Sequence, residues 1–224
     1  MNRLLSPLLK TLLVTSLTVC GGLPAATAAP AAPATAVKAD PAKGGALYDA
    51  GDAARGLPAC VTCHGAAGNS SIAVNPKLSG QFASYTHKQL VDFTTPNRQQ
   101  PIMTLYAKML TPAEKKDIAA WLAVQAHKPG AAKNKDTVDL GRKIYRGGIA
   151  ERGVAACASC HGATANGIPA QYPRLAGQHQ DYTTAQLEAF KSGARANSPQ
   201  MTTLSQRMST AEMRAVADYI AGLR

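Results

Sequence analysis

Cys157-Ala158-Ser159-Cys160-His161 is a C-x-x-C-H stretch, and Cys60-Val61-Thr62-Cys63-His64 is a second copy of it. Two thiols at this spacing can form thioether bonds to the two vinyl groups of one porphyrin, and a ring nitrogen of the next residue can reach the iron. The pattern is the attachment signature of a c-type haem. Two copies predict two covalently bound haem c groups. The residues that would hold them are four cysteines and two histidine iron ligands: Cys60, Cys63, Cys157, Cys160, His64 and His161.

A long internal repeat surrounds the two motifs. From Gly44 onward the chain repeats itself at an offset of 97 residues, which places the segment P-K-L-S-G-Q at 76–81 on P-R-L-A-G-Q at 173–178. One inserted residue then moves the offset to 98 and brings Met103 onto Met201. A repeat of this length predicts two tandem domains. The predicted boundaries are a first domain at 44–127, a linker containing Pro and Gly at 128–140, and a second domain at 141–224.

Each repeat has a helical pattern. The clearest helix is the last, which carries apolar residues at one-turn intervals from Met213 to Leu223 and begins with Ser209 and Glu212 in capping-box spacing. Its counterpart in the first repeat begins at Thr111. No stretch alternates like a strand. The predicted fold class is therefore all-α, with two tandem helical domains, each wrapped around one haem.

The N-terminus resembles an export signal. Residues 1–28 contain two basic residues, an apolar run over 11–19 and a terminal A-x-A, which is the order of a secretory signal peptide. An uncleaved anchor is the alternative, and Leu17 to Cys20 weakly resembles a lipoprotein cleavage box. Residues 29–43 are rich in Ala and Pro and are predicted to be a disordered leader. We therefore expect a periplasmic protein.

Charge and cysteine usage narrow the function. The formal net charge is +11, and it becomes +9 when residues 1–28, with Arg3, Lys10 and no acidic residue, are removed. Residues 128–224 contribute +6 and residues 40–127 only +2. Because export disfavours a nucleic-acid partner, the excess of positive charge predicts acidic redox partners or peripheral association with an anionic membrane. The four cysteines outside the leader all belong to the motifs, so we expect no disulfide.

Two methionines are the predicted second iron ligands. Met103 and Met201 lie 39 and 40 residues after their motif histidines, and each is expected in a loop ahead of the last helix. A thioether stabilises ferrous iron, raises the potential and closes the sixth position, which suits electron transfer. The competitors are Met109 and Met208, whose repeat partners are Arg207 and Leu110. Since neither has a methionine opposite, core packing explains them better.

The remaining histidines and the repeated P-x-L-x-G-Q segments have other expected roles. His87 lies opposite Thr184 in the repeat and His179 lies opposite Phe82, so neither has a histidine partner. These two histidines and His127 are predicted to be surface or supporting residues. A carbonyl near the motif histidine can accept its Nδ1–H, and Pro76 and Pro173 are candidates for this role. An ordinary turn explains the two segments equally well.

These features together resemble the dihaem cytochrome c4 family, two class I cytochrome c domains in tandem. The resemblance covers about residues 44–224 and depends on both C-x-x-C-H motifs, both P-x-L-x-G-Q segments and the paired methionines. It implies an exported, often membrane-associated carrier that accepts electrons from a quinol-oxidising complex or donates them to a terminal oxidase. It also implies that the first helix of each domain packs on the last. The residues implied in that contact are Gly44 and Tyr48 against Trp121, and Gly141 and Tyr145 against Tyr219.

The resemblance therefore predicts an electron carrier and not an enzyme. Three other functions are alternatives to this prediction. A haem subunit of a flavocytochrome-type dehydrogenase would show a similar repeat and a permanent flavoprotein partner. A dihaem peroxidase would need an open iron and acid–base residues beside it. A zinc module built from two C-x-x-C pairs is disfavoured by the histidine that follows each pair.

Overall fold

The computed structural model describes residues 38–224, and α-helices dominate this part of the chain. The predicted signal peptide lies outside the described residues, as does the leader up to residue 37. Strand pairing between 38 and 224 is limited to isolated bridges, which confirms the predicted all-α class. Across these residues no helix combines the length and apolarity needed to cross a bilayer.

Between residues 38 and 224, ten α-helices follow one another in two sets of five. The first set is α1 Pro41–Ala50, α2 Val61–His64, α3 Ala83–Asp92, α4 Pro101–Met109 and α5 Pro112–Ala123. The second set is α6 Val138–Gly147, α7 Ala158–His161, α8 Gln180–Ser192, α9 Pro199–Gln206 and α10 Thr210–Gly222. In both sets a helix of 4 residues stands second and the other four helices have 8–13 residues, so the sequence repeat corresponds to a structural repeat.

Helix α1 begins three residues before the sequence repeat. The Asp40 side chain accepts hydrogen bonds from the backbone N–H groups of Ala42 and Lys43, and Pro41 occupies the first turn. A carboxylate cap followed by proline satisfies the exposed N–H groups of a helix start. Residues 41–43, assigned to the leader on composition, therefore form the first turn of α1.

The last helix of each set begins at a capping box, as the sequence indicates. The Thr111 hydroxyl accepts from the Glu114 N–H while the Glu114 carboxylate accepts from the Thr111 N–H, and Ser209 and Glu212 repeat the arrangement. Each reciprocal pair satisfies two N–H groups that the helix leaves free. The Arg55 guanidinium binds Glu114, and Arg152 binds Glu212, so each helix start is also tied to the turn before its haem motif.

The first and last helices of each domain cross in close contact. A Cβ placed on Gly44 would lie 2.1 Å from the Asp117 carbonyl oxygen, and one on Gly141 would lie 2.1 Å from that of Ala215. The glycines are required because a side chain would separate the helices. Beside them the Tyr48 and Trp121 rings lie 4.7 Å apart, and the Tyr145 and Tyr219 rings lie 5.6 Å apart.

These crossings support the motif segments. The Tyr48 hydroxyl donates to the Gly65 carbonyl at 2.8 Å, and the Tyr145 hydroxyl donates to the Gly162 carbonyl at 2.5 Å. Each glycine directly follows a motif histidine. Both tyrosines are fully buried, so the end of each C-x-x-C-H turn is fixed from the core of its domain.

The segment between the domains packs against the second domain. The buried Asp218 carboxylate accepts hydrogen bonds from the Lys133 and Asn134 N–H groups, at 2.8 and 3.1 Å. Gly130 lies against the carbonyls of Gly177 and Ala221, where a side chain would not fit. The connection is therefore a fixed part of the structure.

A network of paired arginines, the arginine network, joins the two domains. Its six residues come from equivalent positions of the repeat: Tyr85, Gln89, Arg98, Tyr182, Gln186 and Arg195. Arg98 donates to the Tyr182 hydroxyl at 3.1 Å, and Arg195 donates to that of Tyr85 at 3.0 Å. The two arginines also form an antiparallel bridge and are 6% and 7% exposed. Such buried, reciprocal bonding fixes the register between the domains.

We predict that Gly141→Ala destabilises the protein because its methyl group would meet the Ala215 carbonyl of α10. Overpacking of this kind costs about 2–3 kcal/mol. The matched control is Gly147→Ala, in the same helix, where no heavy atom lies within 4 Å of the added Cβ. That change should be neutral or stabilising by up to about 1 kcal/mol through helix propensity. Denaturant unfolding of the haem-loaded protein measures both, and equal midpoints would contradict the close crossing.

Candidate haem sites

Each C-x-x-C-H motif forms a single helical turn. Cys60 precedes α2 and Cys157 precedes α7, and the N–H of each motif histidine donates to the first cysteine's carbonyl at 2.9 Å. Residues four apart on a helix lie on the same face. The turn therefore brings the first cysteine and the histidine of each motif to one side.

The imidazole of each motif histidine is held by a proline carbonyl. His64 Nδ1 lies 3.1 Å from the Pro76 oxygen, and His161 Nδ1 lies 2.9 Å from the Pro173 oxygen. A carbonyl can only accept, so Nδ1 must carry the proton. In the neutral ring, Nε2 then has a free lone pair for a metal. Of the two sequence interpretations of the proline segments, the structure shows the carbonyl contact.

Burial favours the neutral form of both rings. His64 and His161 are each 7% exposed. Burial lowers the pKa of both imidazoles below the ordinary value, and the bond to the proline carbonyl opposes this only in part. A neutral imidazole with Nε2 deprotonated is the form that binds a transition metal.

The motif thiols are available for covalent attachment. In the described range, Cys60, Cys63, Cys157 and Cys160 are unpaired. Burial raises the pKa of the Cys60 and Cys157 thiols to about 11. Two unpaired thiols followed by an imidazole with a free Nε2 fit thioether attachment of a haem. Residues 38–224 also contain no cluster of three or more His, Cys, Asp or Glu placed to hold a metal ion.

The two predicted methionine ligands lie on helices and not in loops. Met103 is in the first turn of α4, and Met201 is in the first turn of α9. The expectation of a loop was wrong because each helix starts earlier, at a proline whose preceding residue caps it. The Gln100 side chain accepts from the Met103 N–H, and Ser198 accepts from the Met201 N–H.

Each methionine lies at the edge of the same apolar cluster as its domain's motif. Met103 packs with Cys60 against the first-domain core, and Met201 packs with Cys157 against the second-domain core. Both methionines are half-buried. By contrast, Met208 is 4% exposed inside the second core, as a packing residue would be. Met109 also borders the first core, so burial alone does not separate it from Met103.

The other histidines lie away from the motif turns. His127 Nδ1 is 3.2 Å from the Ser79 hydroxyl. His179 Nε2 reaches across to the Ser70 carbonyl at 2.9 Å, which joins the second domain to the first. His87 is half-buried on α3. The expected supporting role therefore takes a specific form for His127 and His179 at the contact between domains.

Comparison with known proteins identifies the family. A sequence model of the cytochrome c family matches residues 41–125 and again residues 138–224. The chain is also 43% identical over 168 residues to cytochrome c4 of Thiocapsa roseopersicina, covering 73% of this chain and 86% of the relative. The chain belongs to the cytochrome c4 family. The crystal structure of reduced cytochrome c4 from Pseudomonas stutzeri superposes with a TM-score of 0.75 at 31% identity, covering 84% of this cytochrome and all of the other.

A second kind of relative is similar in sequence over most of its length. The thiosulfate dehydrogenase electron acceptor of Stutzerimonas stutzeri is 36% identical over 192 residues, which is 84% of this chain and 89% of the relative. Family membership confirms two predictions made from the motifs: this cytochrome carries two covalently attached haem c groups, one in each repeat, and it is an electron-transfer protein.

The two haem sites differ beside the histidine. In the second domain the Tyr172 ring lies edge-on to His161, with centroids 6.0 Å apart. The equivalent residue of the first domain is Asn75, whose amide donates to the Cys63 carbonyl at 3.1 Å. An aromatic ring and an amide give the two irons different surroundings, so we expect unequal potentials.

Sequence reasoning missed the residues that connect the sites. The arginine network is not among the sequence predictions. The signal that could have indicated it is the equivalence of Arg98 and Arg195 at the repeat offset. Gln81 and Gln178 stand out in the sequence only as the last residues of the P-x-L-x-G-Q segments. No pattern in one chain tells whether a repeated polar residue faces solvent or the other domain.

His127 should make the stability of this cytochrome sensitive to acid. Burial, together with Arg174 and Lys77, lowers the pKa of His127 to about 4. The unfolded chain takes up this proton near pH 6.5 and the folded chain does not, so stability is lost as the pH falls from about 6.5 towards 4. We predict that His127→Gln reduces the drop in melting temperature between pH 7 and pH 5. An unchanged drop would show that His127 is accessible to solvent.

Proposed function

We propose that this protein is a periplasmic carrier that moves electrons between redox proteins of a respiratory chain. In this proposal each haem iron has two axial ligands from the protein. The observation that carries the proposal is the paired geometry of the repeat. Each domain presents one histidine with its tautomer set by a proline carbonyl, and one methionine at the border of the same core.

The residues fit two haem c groups in specific roles. Cys60, Cys63, Cys157 and Cys160 would form the thioether bonds, His64 and His161 would bind iron through Nε2, and Met103 and Met201 would supply the second ligand. Haem c supplies reversible one-electron exchange between ferric and ferrous iron. The chain's contribution is to orient the imidazoles, to provide a soft donor that favours ferrous iron, and to surround the group with apolar side chains.

The ligand set favours a carrier over an enzyme. A peroxidase needs an iron with a free position and acid–base groups beside it. In each repeat the half-buried methionine borders the motif's core and would fill that position. A closed iron changes little in structure when it changes charge, which suits rapid electron exchange.

Export is supported by the predicted signal peptide at 1–28 and by the chemistry of the chain. The four cysteines outside residues 1–28 would all form thioether bonds to haem, so the mature protein would have no free thiol to react in an oxidising compartment.

The second domain is the proposed docking side. Helix α6 presents Lys143 and Arg146 to solvent, where the equivalent positions of the first domain carry Ala46 and Asp49. A cationic surface of this kind steers an acidic partner towards contact. We infer that acidic redox proteins approach the second domain first, with an anionic membrane surface as the competing partner.

One relative favours a second candidate function. A protein described as a thiosulfate dehydrogenase electron acceptor resembles this chain over most of its length. This cytochrome could then take electrons from a single dehydrogenase and not from a respiratory complex. Co-purification with a stoichiometric dehydrogenase would favour this candidate, and isolation as a separate protein reduced by a quinol-oxidising complex would favour the general carrier.

We predict that Met201→Ala affects only the second haem. The ferric near-infrared charge-transfer band of methionine–iron ligation should fall by about half, because one of two such sites is lost. The potential of the second haem should also fall, since a donor that favours ferrous iron is removed. Optical redox titration measures both effects, with Met103→Ala as the matched variant and Met208→Ala as the control that changes neither ligand.

Survival of the band in a Met103→Ala, Met201→Ala double variant would overturn this ligand assignment. Rapid turnover of hydrogen peroxide by the unmodified reduced protein would instead overturn the carrier function.

Charge reversal on α6 should slow electron transfer. We predict that Lys143→Glu with Arg146→Glu lowers the rate of reaction with a small acidic redox protein about tenfold at low salt and weakens its salt dependence. The matched control reverses Lys108 and Lys116, two exposed lysines of the first domain. Stopped-flow measurement over a salt series compares them. Equal losses would contradict a docking side on the second domain, and loss of binding to anionic vesicles alone would indicate the membrane surface.

A further inference from the structure

The two proline–glutamine loops, residues 76–81 and 173–178, meet at the contact between the domains. The Gln178 amide oxygen accepts from the Lys77 N–H at 3.0 Å, and its nitrogen donates to the Lys77 carbonyl at 2.9 Å. Gln81 forms the equivalent pair with Arg174, at 3.1 and 2.9 Å. Each glutamine therefore binds the backbone of the other loop on both sides of one residue.

The bound N–H belongs to the same peptide group that holds the motif histidine. The Pro76 carbonyl accepts from His64, and the N–H of that peptide unit, on Lys77, donates to Gln178. In the second domain, the Pro173 carbonyl accepts from His161 while the N–H on Arg174 donates to Gln81. In both domains a continuous chain of hydrogen bonds runs from the imidazole, through one peptide, to a glutamine of the other domain.

Hydrogen bonds arranged in such a chain strengthen one another. Donation from a peptide N–H increases the negative charge on its carbonyl oxygen, by an amount that strengthens the next bond about 10–30%. A stronger acceptor at Nδ1 makes the imidazole a more basic ligand. A more basic axial ligand favours ferric iron and lowers the potential.

Each glutamine amide is also held by its own loop. The Gln178 oxygen also accepts from the His179 N–H at 3.0 Å, and the Gln81 oxygen accepts from the Phe82 N–H at 3.1 Å. Each amide is thus held by its own loop with its nitrogen and remaining acceptor capacity facing the other domain. Because only backbone atoms of Lys77 and Arg174 take part in these bonds, the arrangement is independent of their side chains.

We propose that Gln178 sets the potential of the first-domain haem and that Gln81 sets the potential of the second-domain haem. Both are positioning residues, which act through a peptide group on the axial histidine. The proposal rests on the proposed function, in which His64 and His161 are iron ligands of an electron carrier. It adds that each domain tunes the redox centre of the other.

The test compares Gln178→Leu with Gln81→Leu in the full haem-loaded protein. Leucine keeps much of the volume and removes the amide. With ¹⁵N-labelled histidine, of which the chain has only 5, the ferrous Nδ1–H resonances of His64 and His161 can be resolved. Following each resonance through a redox titration reports the potential of each haem separately and the strength of each Nδ1 hydrogen bond.

Gln178→Leu should shift the His64 Nδ1–H resonance upfield and raise the first haem's potential, with the second haem unchanged. Gln81→Leu should give the reverse pattern. Tyr182→Phe is the control, because it removes a bond of the arginine network to Arg98 without touching either proline–glutamine loop.

Two results would overturn the proposal. One is an equal change in both potentials in each glutamine variant, matching Tyr182→Phe, which would mean that the glutamines only dock the domains. The other is a shifted Nδ1–H resonance with an unchanged potential, which would mean that the polarisation does not tune the iron. Neither result depends on the methionine ligands or on the partner. Failure of the carrier function would be seen separately, in the near-infrared band of the methionine variants and in the turnover of hydrogen peroxide.

Discussion

The hydrogen bond from the motif histidine to a proline carbonyl is the interaction on which each haem site depends. It fixes the proton on Nδ1 of His64 and His161, at 3.1 and 2.9 Å from oxygen, and so leaves Nε2 as the donor. The rest of each domain maintains this bond. The tyrosine of the first helix holds the residue after the histidine, and the glycine contact between the first and last helices holds the tyrosine in place. A change at the helix crossing is therefore expected to reach the iron through orientation of the ring.

Much of this arrangement could be predicted from the sequence because it depends on local spacing or on the repeat. The C-x-x-C-H motifs, the capping boxes and the tandem helical domains are all of this kind. The prediction of a loop around Met103 and Met201 was wrong because Gln100 and Ser198 cap helices that begin at the next residue. That residue is proline in both helices, which is a common first residue of a helix. The proline carbonyl could be suggested but not chosen, since a turn and a hydrogen-bonded turn have the same sequence.

The contact between the domains could not be predicted from the sequence. The repeat shows that Gln81 matches Gln178 and that Arg98 matches Arg195, but a matched pair can face each other or both face water. The choice depends on packing between segments about a hundred residues apart, and local propensity carries no information on it. The buried, reciprocal bonds of the arginine network and of the two glutamines show that the repeat is also a pairing pattern, in which each copy supplies the groups that the other binds.

This pairing makes the two domains physically dependent on each other. Two independent domains on a flexible linker would keep their own potentials and exchange electrons only when they met. Here the connecting segment is bound to Asp218, the arginines fix the register, and each motif histidine is linked through one peptide to the other domain. The surroundings of each iron are therefore completed only in the assembled pair. A change that separates the domains would alter the hydrogen bonding of both motif histidines at once, which makes the contact between domains part of the surroundings of both haem sites.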